Sequence, residues 1–456
     1  MRNILTKTLL LYVKIFAKVA LFINKPKVIG ITGSIGKSSL REAVYATLRD
    51  HFSTKVIEKG NSETGIPLGI LGIEVKSLGY ETLLLSIFDW LRIILSAPFG
   101  LFYLSKTRFL IIEMGVDEPD PPKNMEYLLS IVKPDIAVFL NVYPVHTMQF
   151  DRTVSGEVKG VERMDLILKQ IAKEKGKIVT DSGCNVAVYN KDNKYINMVV
   201  ASFENTGITK LVSFGKDPQN SISYRDYELS LDSTKFTFKL NQATLSFMFK
   251  KTALPLSYQE VFAPAVLVGL EVGLNLDQIK VSLEKNYKLP AGRSTVFSGV
   301  NHSVIIDSSY NSSRRSVLAF LEMVRVLKQD TGRKTVFLMG DMRELGLETE
   351  VEHKKVAEEL QGVIDELYLV GPQTRDFVMP NVPKTIFKKW FENAIRAGKY
   401  LKDHLPEKAI LLVKGSQNTI FLEEAIKELL ENKEDSKNLC RQSKHWLVKK
   451  KSYFGE

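Results

Sequence analysis

Cysteine is almost absent: the 456 residues contain two, Cys184 and Cys440, far apart and with no CxxC pair. That excludes a disulfide framework and a cysteine zinc site, and it fits a reducing compartment. Long apolar runs are lacking too. The most apolar stretch, residues 4–23, is interrupted by Lys7, Lys14 and Lys18, so no run approaches the roughly 20 residues that span a bilayer. No small-residue cleavage site follows, which disfavours a signal peptide. There is no internal repeat and no low-complexity linker. No basic stripe with interleaved aromatics occurs, so nucleic acid is not the expected partner. Acidic charge is in deficit, with 52 Asp and Glu against 63 Lys and Arg. A formal charge of +11 suits anionic partners such as nucleotides or a phospholipid surface.

What is present is the composition of a globular protein, 44% hydrophobic and 25% charged, in a chain long enough for two or three domains. In residues 1–26 the three lysines fall in one narrow sector of a helix. That helix either lies in a membrane interface with its lysines toward headgroups or packs on the protein. A second apolar stretch, about residues 83–104, carries Asp89, Arg92, Pro98 and Gly100. It reads as an insertion packing locally against the first helix.

Lys27–Thr32 reads as a buried strand, followed by a glycine-rich turn and a helix from Lys37 to Asp50. Short apolar runs at Phe109–Ile112, Asp135–Val142, Lys177–Thr180 and Asn185–Tyr189 read as further strands, with a helix over Glu157–Lys173. Strands alternating with helices predict a mainly parallel sheet wrapped by helices. Tyr224–Phe249 alternates polar and apolar residues and predicts antiparallel hairpins added to that sheet. After Gly292 a second series begins, with strands at Val304–Asp307, Thr335–Met339, Glu366–Val370 and Ile410–Val413. The fold class is α/β: a central phosphate-loop domain over 27–292 and a Rossmann-like domain over 293–456, ending in a basic, loosely held tail.

The strongest local signal is Gly30-Ile-Thr-Gly33-Ser34-Ile-Gly36-Lys37-Ser38-Ser39 between strand and helix. Glycines let backbone N–H groups wrap a phosphate, and the helix N-terminus adds its dipole. Lys37 would reach the terminal phosphates and the Ser38 hydroxyl would hold Mg²⁺. The spacing differs from the strict phosphate loop, because Ile31 stands where its first glycine belongs.

That departure resembles the ATP loop of the Mur ligase family, which includes folylpolyglutamate synthase. Further matches follow in order: Asn61-Ser-Glu63-Thr-Gly65-Ile-Pro67, Ile111-Ile-Glu113-Met-Gly115, Asn141-Val-Tyr-Pro-Val-His146, Lys175-Gly-Lys and Gly292-Arg293. Downstream come Asp307-Ser-Ser-Tyr310-Asn311, Gly340-Asp341-Met-Arg-Glu344-Leu-Gly346 and Lys414-Gly415-Ser416. The last three are most similar to the members that add D-alanyl-D-alanine. The resemblance spans roughly residues 28–446.

It implies an ATP-dependent carboxylate–amine ligase working through an acyl phosphate. The cofactors implied are ATP and Mg²⁺, one ion held by Ser38 and Glu113 and a second by His146. Lys175 matches the lysine that CO₂ carbamylates to make an oxygen ligand for the second metal. The residues alone also allow it to be a plain surface lysine among Lys173 and Lys177. Arg293 would serve the ATP phosphates, with Asp307, Tyr310 and Asn311 on the nucleotide side. Lys414, Ser416, Asn61 and Glu63 would bind substrate, an anionic peptide-bearing cell-wall precursor. The enzyme is expected in the cytoplasm, either free or peripheral at the inner membrane face through residues 4–23.

Three features depart from the family pattern. Only 29 residues precede Gly30, where the family's UDP-gripping domain is expected. Ser257-Tyr-Gln259-Glu-Val-Phe-Ala263 replaces the segment whose asparagine touches adenine. Ser308 and Gln417 replace a family Asp and Arg. A different acceptor (a lipid-linked precursor, or folate in polyglutamylation) and a nucleotide-binding scaffold at the membrane therefore stay open as alternatives.

Overall fold

The computed structural model describes residues 2–58, 60–74, 87–145, 147–203, 209–250, 252–416 and 419–455. The chain divides into two compact units. The first is 1–225 with 238–245 and 259–288; the second is 226–237, 246–258 and 289–456.

The first unit is built on β1 (Lys27–Thr32), β2 (Thr54–Val56), β3 (Phe109–Glu113), β4 (Ile136–Phe139), β5 (Val186–Asn190) and β6 (Lys210–Gly215). These pair in parallel in the order β2-β3-β1-β4-β5-β6. The sheet continues through β7 (Ile222–Leu229), β8 (Ser233–Leu240) and β9 (Ala243–Lys250), whose two- and three-residue turns permit only antiparallel pairing. The chain leaves β1 toward β2 and β3 and then returns to its other side as β4. In such sheets the carboxyl ends of the strands at that reversal form a ligand crevice.

Helices α1 (Arg2–Asn24), α2 (Lys37–Leu48), α3 (Gly65–Ile70), α4 (Ile87–Ser96), α5 (Met125–Leu129), α6 (Gly160–Thr180), α7 (Lys194–Ala201), α8 (Gln259–Glu271) and α9 (Leu276–Asn286) complete this unit. Leu9, Val13, Ala17 and Ala20 of α1 enter the same core as Ile93 and Ala97 at the end of α4. The Tyr12 hydroxyl donates to the Ile94 carbonyl at 2.9 Å, and Asn24 Nδ2 to the Leu101 carbonyl at 2.7 Å. The first helix therefore packs on the protein with the second apolar segment beside it. Residues 83–86 of the expected insertion lie outside the described residues. Among the described residues no helix is long and apolar enough to cross a membrane.

One expected strand is corrected. Lys177–Thr180 is the last turn of α6, because the buried residues Leu168, Ile171, Ala172, Ile178 and Val179 keep a helical period to its end.

The second unit centres on a sheet of order β10-β11-β15-β12-β13-β14: β10 (Thr295–Gly299), β11 (Ser303–Ser308), β12 (Thr335–Gly340), β13 (Glu366–Val370), β14 (Phe387–Phe391) and β15 (Ile410–Lys414). All pairs are parallel except β10–β11. Alternate residues feed two cores: Ile306, Phe337 and Leu412 on one face, Ile305, Leu338 and Leu411 on the other. Helices α10 (Arg314–Thr331), α11 (Thr349–Glu358), α12 (Ala394–His404), α13 (Glu423–Leu429) and α14 (Lys444–Phe454) pack around it. The basic tail is not loose. Lys450 of α14 is buried, 2.7 Å from both Glu423 and Glu424, and Tyr453 and Phe454 pack on Phe421.

Candidate active site

In the first unit the turn after β1 is held in an open form. Gly36 takes φ 86°, a left-handed conformation that side chains disfavour, and α2 begins there with no side-chain cap. Such an N-terminus presents backbone N–H groups to anions. A Cβ on Gly33 would lie 2.9 Å from that of Leu140, so the loop can pass β4 this closely only as glycine. Asn141, just beyond β4, fastens it. Its Oδ1 accepts from the Ser34 and Ile35 N–H groups at 3.0 and 2.9 Å, and its Nδ2 donates to the Ile35 carbonyl at 3.0 Å. Glu260 of α8 holds Asn141 in turn, accepting from it at 3.2 Å and from the Tyr143 hydroxyl at 3.1 Å. Glu260 lies in the segment that departs from the family's adenine-contacting pattern. Lys37 folds over the loop and donates to the Gly33 and Ser34 carbonyls at 2.7 and 3.3 Å. Ser39 faces the core.

Two of the expected metal residues, Ser38 and Glu113, meet here. Ser38 Oγ donates to Glu113 Oε2 at 3.2 Å, and Arg41, one turn along α2, lies 2.9 Å from Glu113 Oε1. Arg41 orients the carboxylate and leaves its other oxygen on the loop side. A hydroxyl and a carboxylate side by side at a phosphate loop are the hard oxygen donors that Mg²⁺ takes alongside phosphates and water, so these residues fit the ion. Neither Arg41 nor Asn141 was marked as a site residue by the sequence. Asn141 opens the Asn-x-x-x-x-His motif with no role that the sequence assigns, and nothing in the sequence ties Arg41 to Glu113.

Lys175 is not a surface lysine. It lies on the buried face of α6, 5% exposed, with Nζ donating to the Val116 carbonyl at 3.0 Å. Burial, reinforced by the charge of Lys37, pulls its ammonium down to about 7. Glu63 is buried with Oε2 unpartnered among the described residues. Burial, with Asp117 and Glu118 adding to it, pushes its carboxyl upward. Asn61 lies below Gly115, whose N–H donates to the Asn61 carbonyl at 2.8 Å. His146 and Gln417 lie outside the described residues.

The second unit brings together its own set. Asp307 and Ser308 end β11, Lys414 ends β15, and Asp341 follows β12, all at adjoining carboxyl ends. Lys414 is buried and donates to Ser308 Oγ at 3.2 Å and the Asn311 carbonyl at 2.9 Å. Burial and then the charge of Arg293 draw it down to about 7. Asp307 accepts from the Ser309 N–H at 2.9 Å, has no partner for Oδ2 among the described residues, and is pushed up to about 6 by burial. The Arg293 guanidinium lies 4.6 Å from the centre of the Tyr310 ring. Ser416 Oγ donates to the Ser312 carbonyl at 3.3 Å and accepts from the Arg343 N–H at 3.0 Å. Lys414, expected on the substrate side, thus shares one cluster with Asp307 and Asn311.

Residues 164–253 match the Mur ligase middle domain, and residues 292–417 match the Mur ligase, glutamate ligase domain. These two segments are Mur ligase domains by their family matches. A UDP-N-acetylmuramoyl-tripeptide--D-alanyl-D-alanine ligase of Rickettsia prowazekii is 24% identical over 396 residues, 86% of this chain and 76% of that protein. Its Escherichia coli counterpart is 25% identical over 416 residues, covering 89% and 77%. Among solved structures, a MurF ligase from Thermotoga maritima in complex with ADP superposes with a TM-score of 0.70 at 20% identity, covering 92% of this chain and 83% of that one. MurF from Acinetobacter baumannii gives 0.70 at 19%, covering 93% and 81%. At such identities the structural likeness speaks for the fold. The phosphate loop and Glu113 lie outside both matched ranges, so their assignment rests on motif and geometry.

Proposed function

We propose that this Mur ligase joins D-alanyl-D-alanine, or a close relative, to a muramoyl-peptide cell-wall precursor at the expense of ATP. The names of its relatives support the substrate class. The observation that carries the chemistry is the Ser38–Glu113 pair at an open phosphate loop, with a buried, weakly basic Lys175 within electrostatic reach of Lys37.

The substrate carboxylate is a poor electrophile. Its oxygen attacks the terminal phosphorus of ATP, ADP departs, and the amine nitrogen then attacks the acyl phosphate carbon, expelling phosphate and shedding a proton. Loop N–H groups and Lys37 bind and neutralise the phosphates, which is where most catalysis of phosphoryl transfer lies. Ser38 and Glu113 would hold Mg²⁺, which would supply charge neutralisation to the phosphates. A near-neutral amine at Lys175 is competent to attack CO₂, losing a proton and becoming an anionic carbamate; with His146 it would hold a second Mg²⁺. Arg293, Asp307, Tyr310 and Asn311 serve the nucleotide. Asn61, Glu63, Lys414 and Ser416 serve the peptide substrates. The enzyme works in the cytoplasm, with residues 4–23 as a peripheral contact to the inner membrane face.

The test is ATP-dependent phosphate release with UDP-muramoyl-tripeptide and D-alanyl-D-alanine, the product identified by mass. A pentapeptide product that requires both substrates and is lost in Lys37→Ala supports the reading. ATP binding without product from these substrates sinks this acceptor assignment.

A further inference from the structure

A surface helix ordinarily turns polar residues to water, and α1 turns mostly apolar ones. Its inner stripe enters the core, yet its outer stripe is Leu11, Ile15 and Phe22, with Phe22 75% exposed. The segment beside it repeats the pattern. Leu95, Phe99 and Phe102 are 67%, 84% and 65% exposed, while Ile93, Ala97 and Leu104 of the same stretch are buried. The Tyr12–Ile94 and Asn24–Leu101 hydrogen bonds fix the two segments side by side. Two neighbouring elements, each apolar on both sides, make an exposed patch of a kind that marks an interaction surface.

Charge decides what covers it. Lys18 and Lys25 of the first segment and Arg92 and Lys106 of the second are exposed around these apolar side chains. The sequence has no acidic residue before Glu42. Lys25 reaches along the Phe22 ring, 5.7 Å from its centre, the posture of a chain that carries its charge away from an apolar base. A second copy of this face would set cationic rim against cationic rim, with Asp89 the acidic residue of α4, so self-pairing is disfavoured. A bilayer with anionic headgroups satisfies both parts: acyl boundary for the aromatic and aliphatic side chains, phosphate for the rim.

We infer that α1 and the segment from α4 to Phe102 together form a docking face for an anionic phospholipid surface, on which the enzyme lies without crossing it. This rests on the peripheral-contact reading of residues 4–23 and extends it to a second element and a lipid class.

The experiment is flotation of the full chain with vesicles of phosphatidylcholine alone or mixed with phosphatidylglycerol. The chain is expected to float with the anionic vesicles, less with rising salt, and at least about tenfold less with neutral ones. Phe22→Ser, Leu95→Ser and Phe99→Ser together should lower partitioning by about tenfold or more while the thermal midpoint holds, because these side chains are already in water. Should that variant unfold, Lys18→Glu with Lys106→Glu provides the second probe, with the loss confined to anionic vesicles. Three results overturn the inference. They are a wild type found wholly in the soluble fraction, variants that float like the wild type, and a triple variant that abolishes self-association in sedimentation with neither protein floating. Phosphate release measured without vesicles is expected to be equal in the triple variant and wild type, so failure of the ligase reading registers separately.

Discussion

Lys175 offers the sharpest test, because its burial has a thermodynamic consequence apart from catalysis. In the unfolded chain the ammonium holds its proton up to the ordinary 10.5, whereas in the fold it lets go at about 7. At about 1.4 kcal/mol per pH unit, keeping it charged inside costs the native state roughly 5 kcal/mol. The sign follows from proton counting. Below about pH 7 both states are protonated and the penalty is full and constant; between 7 and 10.5 the unfolded state binds more protons, so stability rises with pH and the penalty fades. Lys175→Met removes the charge but leaves the Val116 carbonyl without its donor, a loss of about 1–3 kcal/mol. The variant should therefore be about 2–4 kcal/mol more stable than wild type at pH 6 while losing ligase activity. That advantage should shrink by about 2–3 kcal/mol between pH 7 and pH 9. Urea unfolding in CO₂-free buffer measures it, and adding bicarbonate should then stabilise wild type alone. Parallel stability curves for the two proteins across this range would refute the reasoning.

Glu113→Gln keeps the shape but removes the charge shared by Ser38 and Arg41; phosphate release should fall by about a hundredfold or more, with weaker Mg²⁺-dependent ADP binding by calorimetry. In the second unit Arg441 lies 2.6 Å from Glu423, both buried. Arg441→Met should cost about 3–5 kcal/mol in urea unfolding. Burial pushes the Glu423 carboxyl up, but hydrogen bonds and charge from Arg441, and charge from Lys450, hold it below its usual range. The stability it contributes is present above its ordinary value and lost as pH falls through the folded one, so the variant's acid unfolding should begin at higher pH.

Most parallel strands are legible because each is a short, largely buried aliphatic run ahead of a helix, as Lys27–Thr32 and Ile410–Lys414 show; β2, with three half-buried residues, and β6, interrupted by Ser213, are not. Lys177–Thr180 misleads because its three β-branched residues, Ile178, Val179 and Thr180, read alike in a strand or a buried helix end. Only the phase carried from Leu168 through Ala172 decides it, and that same phase puts Lys175 inside. β14, Phe-Lys-Lys-Trp-Phe, escaped notice because it is an edge strand with two lysines. The glycine loop and Glu113 announced themselves by motif. Arg41, Asn141 and Glu260 did not, since their roles are pairings across the sheet that leave no local pattern. The buried tail was hidden for the same reason: Lys450 looks solvated until Glu423 is placed beneath it.

The two buried lysines obey one logic in separate sheets. Lys414 ends β15 and Lys175 reaches from α6 to the Val116 carbonyl just beyond β3; each is drawn to about 7 by burial, and each is lowered further by a second cation, Lys37 or Arg293. Apolar burial alone would have been met more cheaply by leucine or methionine. Like charges held close in a low-dielectric setting cost stability at rest. An anion with several oxygens offsets that cost, since it supplies counter-charge to both cations of a pair and screens their repulsion at its source. ATP phosphates and a peptide carboxylate are such anions, and a carbamate on Lys175 would reverse one of the charges outright. The residues that weaken the resting fold are therefore those whose energy is recovered on binding the anionic reactants, which is where a ligase of two anions must concentrate its positive charge.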